Sequence, residues 1–173
     1  MRRFVVIGFL LALAAGCGRF GRPAATGPIE LTEAPAADLE IALDTHKGKV
    51  VLVDFWAVWC PPCRARFPHF VDTHNKYAEK GLVCMSVSMD KLWARGAYDK
   101  APVLAFLRDQ AASLPNYVAM DGELRIGQRF GLRDGIPFKV LFDKTGRPVW
   151  DSERKHLSDR ELDKLIESEL AKP

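Results

Sequence analysis

Two cysteines stand three apart in Trp59-Cys60-Pro61-Pro62-Cys63. They follow a short apolar run, Val50-Val51-Leu52-Val53-Asp54-Phe55-Trp56, and precede a stretch with helical patterning. A C-x-x-C pair at a strand-to-helix junction is the sequence mark of a dithiol that cycles with a disulfide. A thiol attacks a disulfide only as its thiolate. Cys60 falls at the expected helix start, where unpaired N–H groups and the helix dipole favour an anion. Cys63 lies one turn further in, partly shielded and close enough to close the disulfide. Position therefore divides the labour: Cys60 attacks and Cys63 resolves. Pro61 and Pro62 suit a first helical turn, whose N–H groups lack intrahelical partners. They also remove two donors that could have held the thiolate. The dithiol is thus expected to be more reducing than one with a donor-rich dipeptide between its cysteines.

Asp54 is the odd residue in its apolar strand, since a buried carboxylate is costly without a partner or a role. Six residues before Cys60, it can lie beneath the dithiol, behind Cys63. A desolvated carboxylate has a raised pKa and can accept the resolving thiol's proton. Trp59 borders the dithiol and suits a substrate-binding surface, because an amphipathic ring tolerates both water and an apolar client. Trp56 is expected in the core. Cys84 falls in an apolar strand and behaves as a small hydrophobe. His46, His69, His74 and His156 are scattered, and no second C-x-x-C completes a metal site, so no metal is expected. The chemistry calls for no cofactor. The competing assignment is a metal-binding (copper) or partner-binding module that uses the same two cysteines as ligands.

These residues need elements to hold them. Residues 36 to 45 can form a short helix with Leu39, Ile41 and Leu43 on an imperfect apolar face. Val50 to Trp56 has the near-continuous apolar pattern of a strand buried on both faces. A helix follows from Cys60 to Lys80, with Pro68 inside it as an expected kink and Gly81 as its stop. Leu82 to Met89 forms a second buried strand, and the spacing fits a βαβ crossover with a parallel pair. Residues 101 to 112 are helical, 116 to 120 a brief strand and 122 to 130 a short helix ending at Gly131. Phe138 to Phe142 and the segment from Arg147 form a hairpin around Asp143-Lys144-Thr145-Gly146. Ser158 to Ala171 is an amphipathic helix with a capping box of Ser158 and Glu161. The order β-α-β, insert, β-β-α defines an α/β fold: a central mixed sheet with helices on both faces and an insert after the second strand.

The chain of 173 residues is 48% apolar and 27% charged, which supports one globular domain with a proper core. No Lys/Arg cluster interleaves with aromatics, which excludes a nucleic-acid partner. Residues 1–16 read as a signal peptide: a basic Met1-Arg2-Arg3 start, an apolar run from Phe4 to Ala15, then small residues. That run is too short for a permanent membrane helix. Leu13-Ala14-Ala15-Gly16-Cys17 resembles a bacterial lipobox, which implies lipid attachment at Cys17. Cleavage there removes Arg2 and Arg3 and no acid, lowering the net charge from +3 to +1. Residues 17–35, rich in Gly, Pro and Ala, read as a linker from the lipid membrane to a domain over 36–173.

The segment Val53-Asp54-Phe55-Trp56-Ala57-Val58-Trp59-Cys60-Pro61-Pro62-Cys63 resembles the active-site segment of the thioredoxin superfamily. Its Pro-Pro dipeptide and the leader resemble the membrane-anchored TlpA/ResA branch, extracytoplasmic thiol-disulfide oxidoreductases. The resemblance extends from about residue 36 to the C-terminus and implies a thioredoxin-like fold. Gly135-Ile136-Pro137 resembles the family's cis-proline loop, implying that Pro137 is cis and that Ile136 and Pro137 pair with substrate backbone beside the dithiol. Pro68 matches the family's helix kink, and residues 90 to 114 match the position of its extra segment. Asp54 departs from the branch, which often has a non-acidic residue there, and Phe138-Lys139 replaces its frequent threonines. The resemblance implies an enzyme of the periplasm or cell surface, and a monomer is expected. Its partners would be protein thiols and disulfides, with apocytochrome c one candidate client, and an upstream membrane electron donor.

Overall fold

A computed structural model describes residues 28–173 apart from Arg95. The leader and Cys17 lie outside the described residues. The strands are β1 (Thr32–Ala34), β2 (Val50–Trp56), β3 (Leu82–Ser88), β4 (Asn116–Ala119), β5 (Phe138–Phe142) and β6 (Pro148–Asp151). The helices are α1 (Ala36–Asp44), α2 (Pro61–Tyr77), α3 (Ala101–Asp109), α4 (Glu123–Phe130) and α5 (Asp159–Ala171). The six strands form one mixed sheet in the order β1-β4-β3-β2-β5-β6. β2 pairs in parallel with β3 and antiparallel with β5, so it sits at the centre with every residue buried.

Because side chains alternate across a strand, β2 serves two cores. Val50, Leu52 and Trp56 face α2, α3 and α5, against Phe67, Phe70, Val103, Leu107 and Ile166. Val51, Val53 and Phe55 face α1 and α4, against Leu39, Leu43, Ile126 and Phe130. Asp54 shares the α2 face with Leu52 and Trp56. A one-residue slip of β2 would place Asp54 among the aromatics of the opposite core and strand Phe55, so the register is strongly specified.

The expected elements appear within a few residues of their predicted bounds, with two corrections. Residues 32–34, expected in the linker, form the edge strand β1, paired in parallel with β4 from Thr32↔Tyr117 to Ala34↔Ala119. Three residues are too few for periodicity to mark a strand. In α1, Leu39 and Leu43 are buried at i, i+4 spacing, whereas Ile41 points away and is 61% exposed. The long helix keeps its assignment through Pro68, passes into a 3₁₀ turn over Ala78–Lys80, and stops at Gly81 with φ 101°. Glu161 accepts the Ser158 N–H at 2.8 Å and the Ser158 hydroxyl at 2.6 Å, which fixes the start of α5. Gly122 opens α4 at φ 77°, and a Cβ there would lie 2.5 Å from the Ala36 Cβ, so only glycine lets α4 approach α1.

Candidate active site

Cys60 is the N-cap of α2, and Cys63 is its third helical residue. A disulfide joins them, with Cα atoms 5.3 Å apart. Both are largely covered, Cys60 5% and Cys63 2% exposed. The Cys63 N–H donates to the Cys60 Sγ at 3.3 Å. Of the first three helical positions only Cys63 carries an N–H, because Pro61 and Pro62 have none. Cys60 therefore meets one backbone donor from this turn in addition to the dipole of a 17-residue helix.

The approach to the dithiol is fixed from the neighbouring strand. The Asp90 carboxylate accepts the Val58 N–H at 3.2 and 3.1 Å and the Ser88 hydroxyl at 2.7 Å. The Ala57 carbonyl accepts the Cys60 N–H at 3.1 Å. These bonds clamp the turn between β2 and α2, and burial raises the Asp90 carboxyl above the ordinary range. The sequence left Asp90 without a role; its one signal was an acid directly after an apolar strand.

On the sheet face that α2 covers lies a polar row across three strands. The pairing places Lys139 of β5 opposite Asp54 of β2, and Asp54 opposite Ser86 of β3. Lys139 Nζ stands 3.9 Å from Asp54 Oδ2 and 5.7 Å from the centre of the Phe70 ring. Ser86 accepts the Trp56 indole N–H at 2.9 Å. Burial pushes the Asp54 carboxyl up to about 6, with Lys139 and then Arg66 pulling the other way. Desolvation outweighs the cation because 3.9 Å is the outer edge of direct contact. An acid poised near neutrality, on the face that α2 covers, can receive a proton from a thiol of that helix. The sequence singled out Phe138-Lys139 only as a departure and missed Lys139 as the cation beside Asp54. Lys139 also lines a cleft of about 330 Å³ with Pro137, Arg66 and His156, which gives this buried row a route to water.

The remaining candidates sort cleanly. The Ile136–Pro137 peptide is cis. Phe138 pairs with Phe55, so Pro137 lies at the end of the sheet from which α2 departs. Ile136 packs against both cores. Trp59 is 54% exposed, and its ring centroid lies 6.2 Å from that of Trp93. Trp56 is fully buried against Phe67 and Phe106. Cys84 is a free thiol, fully buried opposite Leu52, and burial pushes it far up, which keeps it protonated. His69 faces Asp159 at 3.4 Å and Asp163 at 3.8 Å on α5.

A mixed sheet covered on both faces, with a C-x-x-C disulfide at the start of a central helix and a cis-proline at the same sheet end, defines the thioredoxin-like class. The chain belongs to the redoxin family, whose model matches residues 22–165. It is 32% identical over 123 residues to the thiol-disulfide oxidoreductase ResA of Bacillus thuringiensis (strain Al Hakam), covering 68% of this chain and 65% of that protein. It is 42% identical over 50 residues to ResA of Oceanobacillus iheyensis, covering 29% of this chain and 26% of that one. The chain thus spans just under two thirds of the Bacillus relative and about a quarter of the Oceanobacillus one. The crystal structure of a thioredoxin-family thiol:disulfide interchange protein from Chlorobium tepidum TLS shares the fold, with TM-score 0.59 and 24% identity. That match covers 74% of this chain and 84% of the other.

Proposed function

We propose that this chain is a thiol-disulfide oxidoreductase that exchanges disulfides with protein cysteines through Cys60 and Cys63, working as a reductant outside the cytoplasm. The observation that carries the proposal is the disulfide at the N-terminus of α2, packed on the sheet face in which Asp54 is buried. In the reducing direction the Cys60 thiolate attacks one sulfur of a client disulfide. A mixed disulfide forms and the client's other sulfur leaves as a thiolate. Cys63 then loses its proton to Asp54 and attacks the Cys60 Sγ. The second client sulfur departs, the client has gained two electrons, and the protein holds the disulfide seen here. A donor dithiol outside this chain must reduce it again, with the Asp54 proton returned to Cys63. Ile136 and Pro137 would present backbone to the client, and Trp59 an apolar border.

The single backbone donor facing Cys60 supports the reducing direction, since a poorly held thiolate makes the dithiol form the weaker acid and the better electron donor. The leader ending in Cys17 supports a lipid tether; among the described residues no helix is long and apolar enough to cross a membrane. The test is insulin reduction by the dithiothreitol-charged protein, together with a redox titration against glutathione. Wild type should precipitate insulin, Cys60→Ser should not, and the potential should lie well below about −120 mV. Inactive wild type, or a potential near that value, defeats the proposal.

A further inference from the structure

The segment between β3 and α3 brings a second tryptophan to Trp59, the residue before Cys60. Trp93 is half-buried, stacks at a tilt of 53° on Trp59, and anchors its indole N–H on Glu123 Oε1 at 3.0 Å. It is the wall shared by two clefts. One, of about 630 Å³, runs from Trp59 and Val58 past Trp93 to Tyr98 and Pro102. The other, of about 550 Å³, runs from Trp93 past Leu124 and Leu132 to Gly135, the residue before the Ile136–Pro137 peptide. Among the described residues lining the first cleft, the charged ones are Asp90 and Asp99, both acidic. Asp90 is already engaged by Val58 and Ser88, whereas Asp99 is exposed at the cleft mouth, one of its carboxylate oxygens accepting the Ala101 N–H at 2.9 Å.

We infer that Trp93 is a specificity-determining residue for the exchange reaction: with Trp59 it seats an aliphatic or aromatic client side chain beside the cysteine under attack, and Asp99 favours a neighbouring lysine or arginine. The inference rests on the proposed redox function. Its support is the continuity of the first cleft with Trp59, directly before Cys60, and of the second with the cis-proline loop. A fixed aromatic wall supplies contact area at little entropic cost, and an acid beside an apolar cleft selects charge more than it adds affinity.

The test uses three disulfides against the charged wild-type protein: hydroxyethyl disulfide, a cyclic disulfide peptide with Leu and Lys beside the attacked cysteine, and the same ring with Ser and Glu. Wild type should prefer the Leu/Lys peptide through KM. Trp93→Ala should raise that KM about tenfold with kcat unchanged, as loss of a docking contact does. Trp93→Phe should stay within about threefold, because the aromatic wall remains. Asp99→Asn should narrow the Lys-over-Glu preference. Rates with hydroxyethyl disulfide should not change in any variant, which also reports intact folding. Equal KM for both peptides in wild type, or Trp93→Ala slowing hydroxyethyl disulfide as much as the peptide, overturns the inference and leaves the redox function standing. No wild-type exchange with hydroxyethyl disulfide overturns the redox function itself.

Discussion

In the proposed mechanism proton traffic turns on Asp54. Its carboxyl is raised from 3.8 to about 6 by burial. An acid with a higher pKa folded than unfolded binds more protons in the native state, so its contribution to stability is present at low pH and is lost as pH rises from about 4 to about 6. Asp54→Asn removes a buried charge but strips Lys139 of its anion. The net expectation is a gain of about 1–2 kcal/mol at pH 7, read as a Tm rise of roughly 3–6 °C, and no gain at pH 4. Function should move the opposite way. Resolution of the mixed disulfide by Cys63 should accelerate as pH rises through about 6, and Asp54→Asn should slow it roughly 10²-fold and flatten that profile. Quench-flow of a labelled mixed disulfide from pH 5 to 8 checks both effects. Asp54 was legible in the sequence because a lone acid in Val53-Asp54-Phe55 breaks an apolar run. Lys139 was not, since its pairing with Asp54 depends on a β2–β5 register between residues 85 apart in the chain, which no local pattern encodes.

At the scale of the element, the start of α2 sets the dithiol's chemistry. Pro62 occupies the second helical position, one of the two from which an N–H can reach the N-cap side chain. Pro62→Ala restores that donor. One hydrogen bond of about 1 kcal/mol to the thiolate corresponds to about 20 mV, so the potential should become less negative by that amount. Pro61→Ala, at the first position, should shift it less. Redox titration of the two variants side by side decides this. Packing between α1 and α4 makes a separate demand at Gly122, where positive φ and the Ala36 contact leave no room for a side chain. Gly122→Ala should cost about 2 kcal/mol, seen as a lower urea midpoint with the m-value unchanged. β2, β3 and β5 were legible as apolar runs, and α5 by its capping box. The edge strand β1 was hidden because its three residues, two of them exposed, carry no periodic signal and gain their order from β4.

For the whole molecule, the sheet divides labour between its faces. On the α1/α4 side the central strands β2, β3 and β5 bury only apolar side chains, among them Val53, Phe55, Met85, Val87, Val140 and Phe142. The α2 side carries the dithiol, the Lys139–Asp54–Ser86 row and the fully buried Cys84. The turn before α2, the cis-proline loop and the segment bearing Trp93 converge at one sheet end from distant parts of the chain. The first two were legible as motifs; the convergence of Trp93 on Trp59 required the fold. In the proposed mechanism Cys60 alone meets the client and Cys63 alone releases it. The direct measurement is mass spectrometry of the mixed disulfides formed by purified Cys63→Ser and Cys60→Ser proteins with a disulfide-bonded protein client. Cys63→Ser should accumulate a covalent adduct bridged through Cys60, and Cys60→Ser should accumulate none. An adduct held by Cys63 or Cys84, or no adduct with Cys63→Ser, would contradict the assignment.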